Sequence, residues 1–332
     1  MQKITISLDQ IEAKTAQCLT AAGAEQWIAD EMAKAVRYAE ARNNPVCGLY
    51  YLESYCTHLR NGRVNGTATP VVSSPKPAAL NVDAQDGFAQ PAFKKGLADA
   101  VAIAKEQGTC ALSIAHAYTP TAMGFFTDQI AKAGLFGLGM TNAPACVAPP
   151  GGNQAVLGTN PIAMSIPARE GGVAFQFDQS TTVVIIGKIR IAAAAGEKIP
   201  LDWAVDANGQ PTDDPNEALK GSLAFSGGYK GYGYSLMVEL LASAVTGSLS
   251  SMTASPLKAV DGPPHNLGQF YFLLDPTTFS GNSFFDNLEA LTAAVDSQPN
   301  ARLPGPPTIN TELAVSTELW DSVTQWAEGN WS

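Results

Sequence analysis

Strand-like and helix-like segments alternate through the first half of this 332-residue chain, and this alternation constrains its fold more than any other feature. Short apolar strands are predicted at residues 79–83, 109–114 and 135–141. Helices are predicted between them, at residues 91–107 and 121–133. This order is typical of α/β proteins in which helices cover a sheet.

The glycine pattern of Rossmann-type nucleotide sites is absent from this alternation. Gly134, Gly137 and Gly139 are close in sequence, but their spacing is not G-x-G-x-x-G. They also lie on a predicted strand rather than in a loop between a strand and a helix. A Rossmann cofactor site is therefore not expected.

Further helices and strands are predicted on both sides of this region. Residues 7–40 are predicted to form two helices, with Ser7 and Asp9 as caps and Gly23 between the helices. The other predicted helices cover residues 48–60, 231–246, 286–296 and 311–328, and the other predicted strands cover residues 174–178 and 270–275.

Charge, the length of the apolar runs and the cysteine pattern argue against several classes of protein. The 30 acidic and 20 basic residues give a net charge of -10, which repels nucleic acid and anionic membranes. No apolar run reaches the roughly 20 residues of a membrane helix, and the N-terminus lacks the apolar block of a signal peptide. The 5 cysteines contain no C-x-x-C pair, so neither a disulfide framework nor a metal site is expected. We therefore expect a cytoplasmic protein that binds a small molecule.

Several motifs occur in the order that one enzyme family shows. They include Leu-Gly-Thr-Asn-Pro-Ile-Ala at residues 157–163, Trp-Ala-Val-Asp at 203–206, Gly-Gly-Tyr-Lys-Gly at 227–231 and Arg-Leu-Pro-Gly at 302–305. In these motifs the chain resembles the malate/L-lactate dehydrogenase family of the sulfolactate dehydrogenase type. Within that family it is most similar to the branch that reduces Δ1-piperideine-2-carboxylate and Δ1-pyrroline-2-carboxylate.

The resemblance implies an α/β fold in which helices flank a mixed sheet and the cofactor domain is not of Rossmann type. A helical domain is expected from residues 1–75 and 285–332, and a central mixed-sheet domain from residues 76–284. The central domain is expected to carry the cofactor and substrate site. The resemblance also implies NADPH or NADH as the cofactor, and a homodimer.

The early catalytic segment departs from the family pattern. Family members carry Ser-His-Gly with an arginine three residues after the glycine; the histidine works near the reacting carbon and the arginine clamps the substrate carboxylate. Here Cys47 stands at the histidine position and Tyr51 at the arginine position. A phenol offers one neutral hydrogen bond where a guanidinium offers a permanent positive charge. For Cys47 the alternative is a buried inert thiol, because no His, Lys or Arg lies within three residues of it.

The remaining catalytic positions predicted by the resemblance are Thr119, His116 and Asp178. Thr119 aligns with a second family histidine, and a local shift of the alignment would bring His116 to this position instead. Threonine cannot replace imidazole as an acid or base near neutral pH. Asp178 aligns with the acidic partner and is expected to orient a neighbour or accept a proton. A structural role at the end of a strand is the alternative for Asp178.

Five residues are candidates for cofactor binding through the resemblance: Thr159, Asn160, Thr181, Thr182 and Lys230. Lys230 lies at the start of a predicted helix, where a side-chain ammonium and exposed N–H groups would bind a phosphate. A solvated lysine is the alternative for this residue, and a tight structural turn is the alternative for Thr159 and Asn160.

Two substitutions are expected to weaken cofactor binding. Ile185 replaces a small residue near the expected cofactor, where extra methylene groups would clash in a close-packed site. Pro306 replaces an acidic residue that is common in the family. Tyr50, Tyr51, Tyr55 and Tyr118 indicate an aromatic pocket with less positive charge, or else a core stripe.

Three functions remain open from the sequence. The first is an NAD(P)H-dependent reductase of a C=N or C=O substrate that lacks the usual small carboxylate. The second is a repurposed enzyme, such as a cyclase, isomerase or lyase, that acts on an apolar substrate without hydride transfer. The third is a catalytically silent homologue. The reductase is favoured because descent is the only positive functional evidence.

Overall fold

The computed structural model describes residues 2–304 and 309–331. The strands are β1 (Lys3–Ser7), β2 (Val71–Lys76), β3 (Ala79–Asp83), β4 (Thr109–Ala117), β5 (Phe136–Thr141), β6 (Ile162–Pro167), β7 (Val173–Gln179), β8 (Ala204–Val205), β9 (Ser222–Leu223), β10 (Leu267–Leu274) and β11 (Glu312–Ser316). The helices are α1 (Leu8–Ala21), α2 (Gln26–Ala41), α3 (Leu52–Arg60), α4 (Ala89–Gln107), α5 (Gly124–Lys132), α6 (Ile186–Ala195), α7 (Pro215–Ala218), α8 (Tyr229–Glu239), α9 (Pro276–Ser280), α10 (Ser283–Asp296) and α11 (Thr317–Ala327).

A 7-stranded mixed sheet forms the centre of the structure, in the order β2-β3-β4-β10-β5-β6-β7. Only β3 and β4 pair in parallel, and the other neighbouring strands are antiparallel. β3, β4, β5 and β7 consequently run in one direction, so their carboxyl ends lie at the same edge. The predicted α/β class is confirmed, and the sheet is not that of a Rossmann fold.

The alternation predicted for residues 79–141 is confirmed, but its strands do not all become neighbours. β10 comes from late in the chain and inserts between β4 and β5. α5 therefore connects two strands that are separated by a third. The extended residues 71–76 form the edge strand β2, and β6 was not predicted.

The two ends of the chain meet in a small antiparallel sheet, β1 with β11. The predicted pair of N-terminal helices is confirmed. Ser7 caps α1: its hydroxyl oxygen accepts a hydrogen bond from the Gln10 backbone N–H, and its own backbone N–H donates to the Gln10 side chain. The helix predicted at 311–328 is partly wrong, because residues 312–316 pair with β1 before α11 begins. The helix predicted at 48–60 is also shorter, since 3₁₀ turns occupy Pro45–Cys47 and Leu49–Tyr51.

Buried apolar side chains form three clusters. One joins α1, α2 and α3 to the C-terminal segment and contains Ile11, Leu52 and Val323. A second lies between the sheet and helices α4 and α5. The third packs α6 against the loops around β8 and β9. The first cluster agrees with a helical unit built from both termini, while the exact domain boundaries stay a prediction. No helix in the described ranges has the length and apolar character needed to cross a membrane.

Candidate active site

The segment that carries Cys47 and Tyr51 is held against the end of α2 by a buried carboxyl group. Glu40 lies in the last turn of α2, and its Oε1 accepts a hydrogen bond of 2.7 Å from the Leu49 backbone N–H. Gly48 is required beside it, because a Cβ atom there would overlap the Glu40 carboxyl group. Burial raises the pKa of Glu40. These contacts fix the short turns from which Cys47 and Tyr51 project.

Cys47 and Tyr51 are neutral groups in this setting. Burial, together with the nearby Asp178 carboxylate, raises the pKa of the Cys47 thiol to about 12. Burial also raises the pKa of Tyr51, whose side chain is only 6% exposed. The Tyr51 hydroxyl lies close to Tyr118 but makes no well-formed hydrogen bond to a described residue. Cys47 therefore has the properties of an inert thiol, and Tyr51 retains an unused donor.

Asp178 lies near the carboxyl end of β7 and contacts the start of α5. Its Oδ2 accepts a hydrogen bond of 2.7 Å from the Gly124 backbone N–H. Asp178 as a whole residue is exposed, but protein surrounds its carboxyl group closely enough to raise its pKa to about 6. The same side chain thus has a structural contact at a helix N-terminus and the capacity to hold a proton near pH 6.

The two expected substitutes for the second family histidine have other surroundings. Thr119 is buried, and its backbone N–H donates to His265 Nδ1 at 3.4 Å. His116 Nδ1 lies 3.0 Å from an Asp83 carboxylate oxygen, at the ends of β4 and β3. The backbone N–H of His116 donates to Ser248. These described contacts of His116 do not include Cys47, Tyr51 or Asp178.

Two histidines that sequence reasoning passed over lie beside the aromatic cluster. His265 stacks on Tyr118 with ring centres 4.1 Å apart. His58 Nδ1 lies 2.6 Å from the Tyr118 hydroxyl, and its Nε2 lies 2.8 Å from the Ala259 carbonyl oxygen. Since a carbonyl only accepts, Nε2 carries the proton and Nδ1 accepts from Tyr118. The sequence signal that could have placed His58 in this cluster is its helical spacing from Tyr51 and Tyr55, which puts the three side chains on one side of the segment.

The sequence left open whether these tyrosines line a pocket or form part of the core, and the structure shows features of both. Tyr55 and Tyr118 are fully buried, with ring centres 5.9 Å apart. Tyr51 packs on Tyr55 at 5.0 Å. Tyr50 is 60% exposed and lies outside this core. The cluster is therefore a core from which Tyr51 extends towards Cys47.

The three threonines proposed for cofactor binding all take part in hydrogen bonds within the protein. Thr181 donates through both its backbone N–H and its hydroxyl to the Thr159 carbonyl, at 2.9 and 3.1 Å. The Thr182 hydroxyl lies 2.9 Å from the Val184 carbonyl. Thr181 and Thr182 are buried, whereas Thr159 is partly exposed. Thr159 is thus the threonine of this group best placed to contact a ligand.

Asn160 is fully buried in a network that joins three segments. Its Nδ2 donates to Glu239 Oε2 at 2.9 Å and to the Ser235 carbonyl at 3.2 Å. Its Oδ1 accepts from the Ala143 backbone N–H. The Glu239 carboxylate also accepts from the backbone N–H and hydroxyl of Ser251. The Asn160 side chain consequently holds the protein together rather than facing a ligand.

Lys230 lies in the first turn of α8 and is exposed. Gly228 provides no side-chain cap for this helix, and the first turn contains no acidic residue. Gly227 and Gly228 have φ of 72° and 63°, values that favour glycine. No ion pair joins Lys230 to another described residue. The free N–H groups and this ammonium therefore fit a phosphate of a dinucleotide.

Ile185 precedes α6 and its side chain is 37% exposed, so it is not enclosed in a close-packed core. Pro306 lies outside the described residues. Among the described residues, no group of three or more His, Cys, Asp or Glu side chains is arranged to hold a metal ion.

The sequence model of one family, described as malate/L-lactate dehydrogenase, matches residues 6–318. This chain belongs to the malate/L-lactate dehydrogenase family. A relative from Ancylobacter novellus named Δ1-pyrroline-2-carboxylate reductase is 36% identical over 306 residues, covering 91% of this chain and 89% of the relative. The (2R)-3-sulfolactate dehydrogenase (NADP(+)) of Chromohalobacter salexigens is 36% identical over 300 residues, covering 90% and 89%.

The solved structure of Δ1-piperideine-2-carboxylate reductase from Pseudomonas syringae pv. tomato has the same fold. It superposes with a TM-score of 0.89 at 29% identity, covering 97% of this chain and 99% of that chain. The family and the fold class expected from the sequence motifs are both confirmed.

The Asn160 network predicts a large effect of a small substitution. Asn160→Asp puts a carboxylate where the Asn160 amide now lies 2.9 Å from Glu239 Oε2. We expect a loss of about 3 kcal/mol of unfolding free energy at neutral pH, because two buried carboxylates would repel each other. Urea denaturation measures this loss, with Thr159→Ser as a control of nearly unchanged stability. An unchanged stability of Asn160→Asp would show that the network is not formed.

The raised pKa of Asp178 predicts a pH-dependent stability difference. The folded state favours the neutral carboxyl group, so ionisation costs stability as the pH rises from the ordinary value of 3.8 through about 6. Asp178→Asn removes this cost while keeping an oxygen that can accept from Gly124. We expect equal Tm values for variant and wild type below pH ~4 and a higher Tm for the variant above pH ~7. A lower Tm of the variant at high pH would contradict the assignment.

Proposed function

We propose that this protein is an NAD(P)H-dependent reductase of a C=N or C=O substrate. The observation that carries this proposal is the Asp178 carboxyl group, whose pKa is raised to about 6 by burial and which lies near Cys47 and the start of α5. The names of related proteins, Δ1-pyrroline-2-carboxylate reductase and sulfolactate dehydrogenase (NADP(+)), support nicotinamide chemistry.

NADPH or NADH fits the residues at the start of α8. Lys230 and the uncapped N–H groups of this helix would hold a phosphate, and Thr159 would offer a polar contact nearby in the chain. When bound, the reduced nicotinamide supplies a hydride to the substrate.

Asp178 would deliver the proton that the reduction requires. Because its pKa is raised to about 6, a useful fraction of this carboxyl group is protonated near pH 6. The bond from the Gly124 N–H holds the carboxyl oxygen in one orientation. A positioned acid of this kind contributes about 10²- to 10⁴-fold to a rate.

The substrate would lack a small carboxylate next to its reacting carbon. Tyr51 occupies the position where the family resemblance places an arginine, and its pKa is raised by burial, so it is neutral. The buried Arg63 does not replace that arginine, because its N–H groups donate to Ala259, Pro263, Ser255 and Pro256. An uncharged or apolar part of the substrate would therefore contact Tyr51 and Cys47.

A repurposed enzyme without hydride transfer is the second candidate. The observation that favours it is that Cys47, Tyr51 and Thr119 together provide no charged acid or base. Such a site can still orient an apolar substrate for cyclisation, isomerisation or elimination. A catalytically silent homologue is the remaining alternative, and measurement of cofactor binding separates both from the reductase.

The protein is also proposed to be a cytoplasmic homodimer. α8 and the turn after it expose a row of apolar side chains that includes Met237, Leu240 and Val245. Apolar rows of this kind are common where two protein surfaces pack. A cytoplasmic location is supported by the five cysteines, all of which are free thiols.

Calorimetric titration with NADPH and NADH tests the reductase proposal. We expect micromolar binding of at least one cofactor, about ten-fold weaker binding by Lys230→Gln, and unchanged binding by the control Lys76→Gln. Wild type that binds neither cofactor at millimolar concentration would overturn the reductase and favour the non-redox alternative. Equal binding by wild type and Lys230→Gln would remove Lys230 from the cofactor site.

Sedimentation equilibrium tests the proposed dimer. The wild type is expected to have twice the mass of the chain at micromolar concentration, whereas Leu240→Glu is expected to be monomeric because a charge would be buried at the interface. Leu201→Glu is the control, since Leu201 is exposed at a distant point in the sequence. A monomeric wild type would refute the dimer.

A further inference from the structure

The loop of residues 255–263 is fixed from within by a buried arginine. Arg63 is 1% exposed, and its Nε donates to the Pro263 carbonyl at 3.1 Å. Its Nη2 donates to the Ser255 hydroxyl at 2.7 Å, and its Nη1 donates to the Ala259 carbonyl. The described residues provide no carboxylate partner for Arg63. The guanidinium thus holds both ends and the middle of one loop.

α3 and the residue that follows it make two more hydrogen bonds to the same loop. His58 Nε2 donates to the Ala259 carbonyl at 2.8 Å, and Asn61 Nδ2 donates to the Val260 carbonyl at 3.1 Å. Lys258 immediately precedes these two bonded residues. Its backbone therefore has a defined position, which lowers the entropy cost of using its side chain to bind a ligand.

Lys258 extends from this loop over the tyrosines of the catalytic segment. Its Nζ lies 4.1 Å from the ring centre of Tyr50 and 5.2 Å from that of Tyr51. No described carboxylate pairs with it; Glu53 and Arg190 are its charged neighbours. Partial burial lowers the pKa of Lys258. An ammonium placed on two aromatic rings without a carboxylate is available to an incoming anion.

A continuous line of side chains connects Lys258 with the proposed proton donor. Lys258 Nζ lies 5.2 Å from the ring centre of Tyr51, and Tyr51 is close enough to Cys47 for the two side chains to interact electrostatically, although Gly48 separates their short 3₁₀ turns. Cys47 in turn is close enough to Asp178 for that carboxylate to raise its pKa. Tyr50, which lies under the ammonium, is 60% exposed. Lys258 consequently lies at the outer rim of the site, and Asp178 lies at the other end of the line.

We propose that Lys258 binds a carboxylate at the outer end of the substrate, remote from the C=N or C=O group that reacts beside Asp178. The proposal rests on the reductase function proposed above and specifies its substrate class as a larger acid whose charge is separated from the reacting carbon. The positive charge missing at Tyr51 is thereby supplied at a different place. The Tyr50 and Tyr51 rings would cover the apolar part of the same ligand.

Paired probes that differ only in charge test this role. The NADPH-loaded protein is titrated calorimetrically with hydrocinnamate and with its neutral amide. We expect wild type to bind the carboxylate about ten-fold more tightly than the amide, because only the carboxylate forms an ion pair with the Lys258 ammonium. Lys258→Gln is expected to bind both probes equally. Lys258→Arg and the surface control Lys76→Gln are expected to keep the wild-type preference.

The cofactor affinity of the same variants separates the alternatives. Lys258→Gln with wild-type NADPH affinity and no preference for the carboxylate supports the proposal. The proposal is overturned if Lys258→Gln still prefers the carboxylate. It is also overturned if wild type prefers neither probe, or binds neither probe at millimolar concentration. Weaker NADPH binding by Lys258→Gln with an intact preference would assign this charge to the cofactor and also overturn it. If wild type binds no NADPH, the reductase proposal fails, and the same probe titration without cofactor still tests Lys258.

Discussion

The hydrogen bonds of the buried Glu239 carboxylate fix the arrangement of the segments around α8. The carboxylate accepts hydrogen bonds from Asn160, in the motif at residues 157–163, and from Ser251 in the loop that follows α8. Glu239 itself ends α8, whose first turn carries Lys230. One carboxylate therefore sets the positions of the loop around Asn160, of α8 and of the loop after α8 relative to one another. Removal of one partner from such a buried network is costly, because the remaining polar groups stay buried without hydrogen bonds.

The opposite side of the site is organised by burial rather than by charge. Glu40 and Gly48 fix the segment of Cys47 and Tyr51, and burial keeps both side chains neutral. Between Asp178 and Lys258 the site thus offers only neutral side chains. This distribution agrees with the proposed proton donor at Asp178 and with an uncharged part of the substrate at Cys47 and Tyr51. Arg63 contributes by holding a loop, and its charge is used within the protein.

Local sequence patterns predicted the elements whose structure is determined by near neighbours. The helical spacing between residues 7 and 40 gave both N-terminal helices, and Ser7 forms the expected cap. The strands at 79–83 and 109–114 also formed where apolar runs predicted them. The prediction failed at residues 312–316, because their strand requires pairing with β1 from the other end of the chain. No local pattern contains that partner.

For the site, the sequence by itself determined the family, the neutral residues at positions 47 and 51, and the acidic residue at 178. These follow from residue identity, since cysteine and tyrosine cannot supply the permanent charge of arginine. Only the tertiary structure decided that Asn160 is a buried structural residue, that His58 and His265 lie beside Tyr118, and that Lys258 reaches Tyr51. Each of these contacts joins segments far apart in the chain, and burial and hydrogen bonding between such segments exist only once the chain is folded.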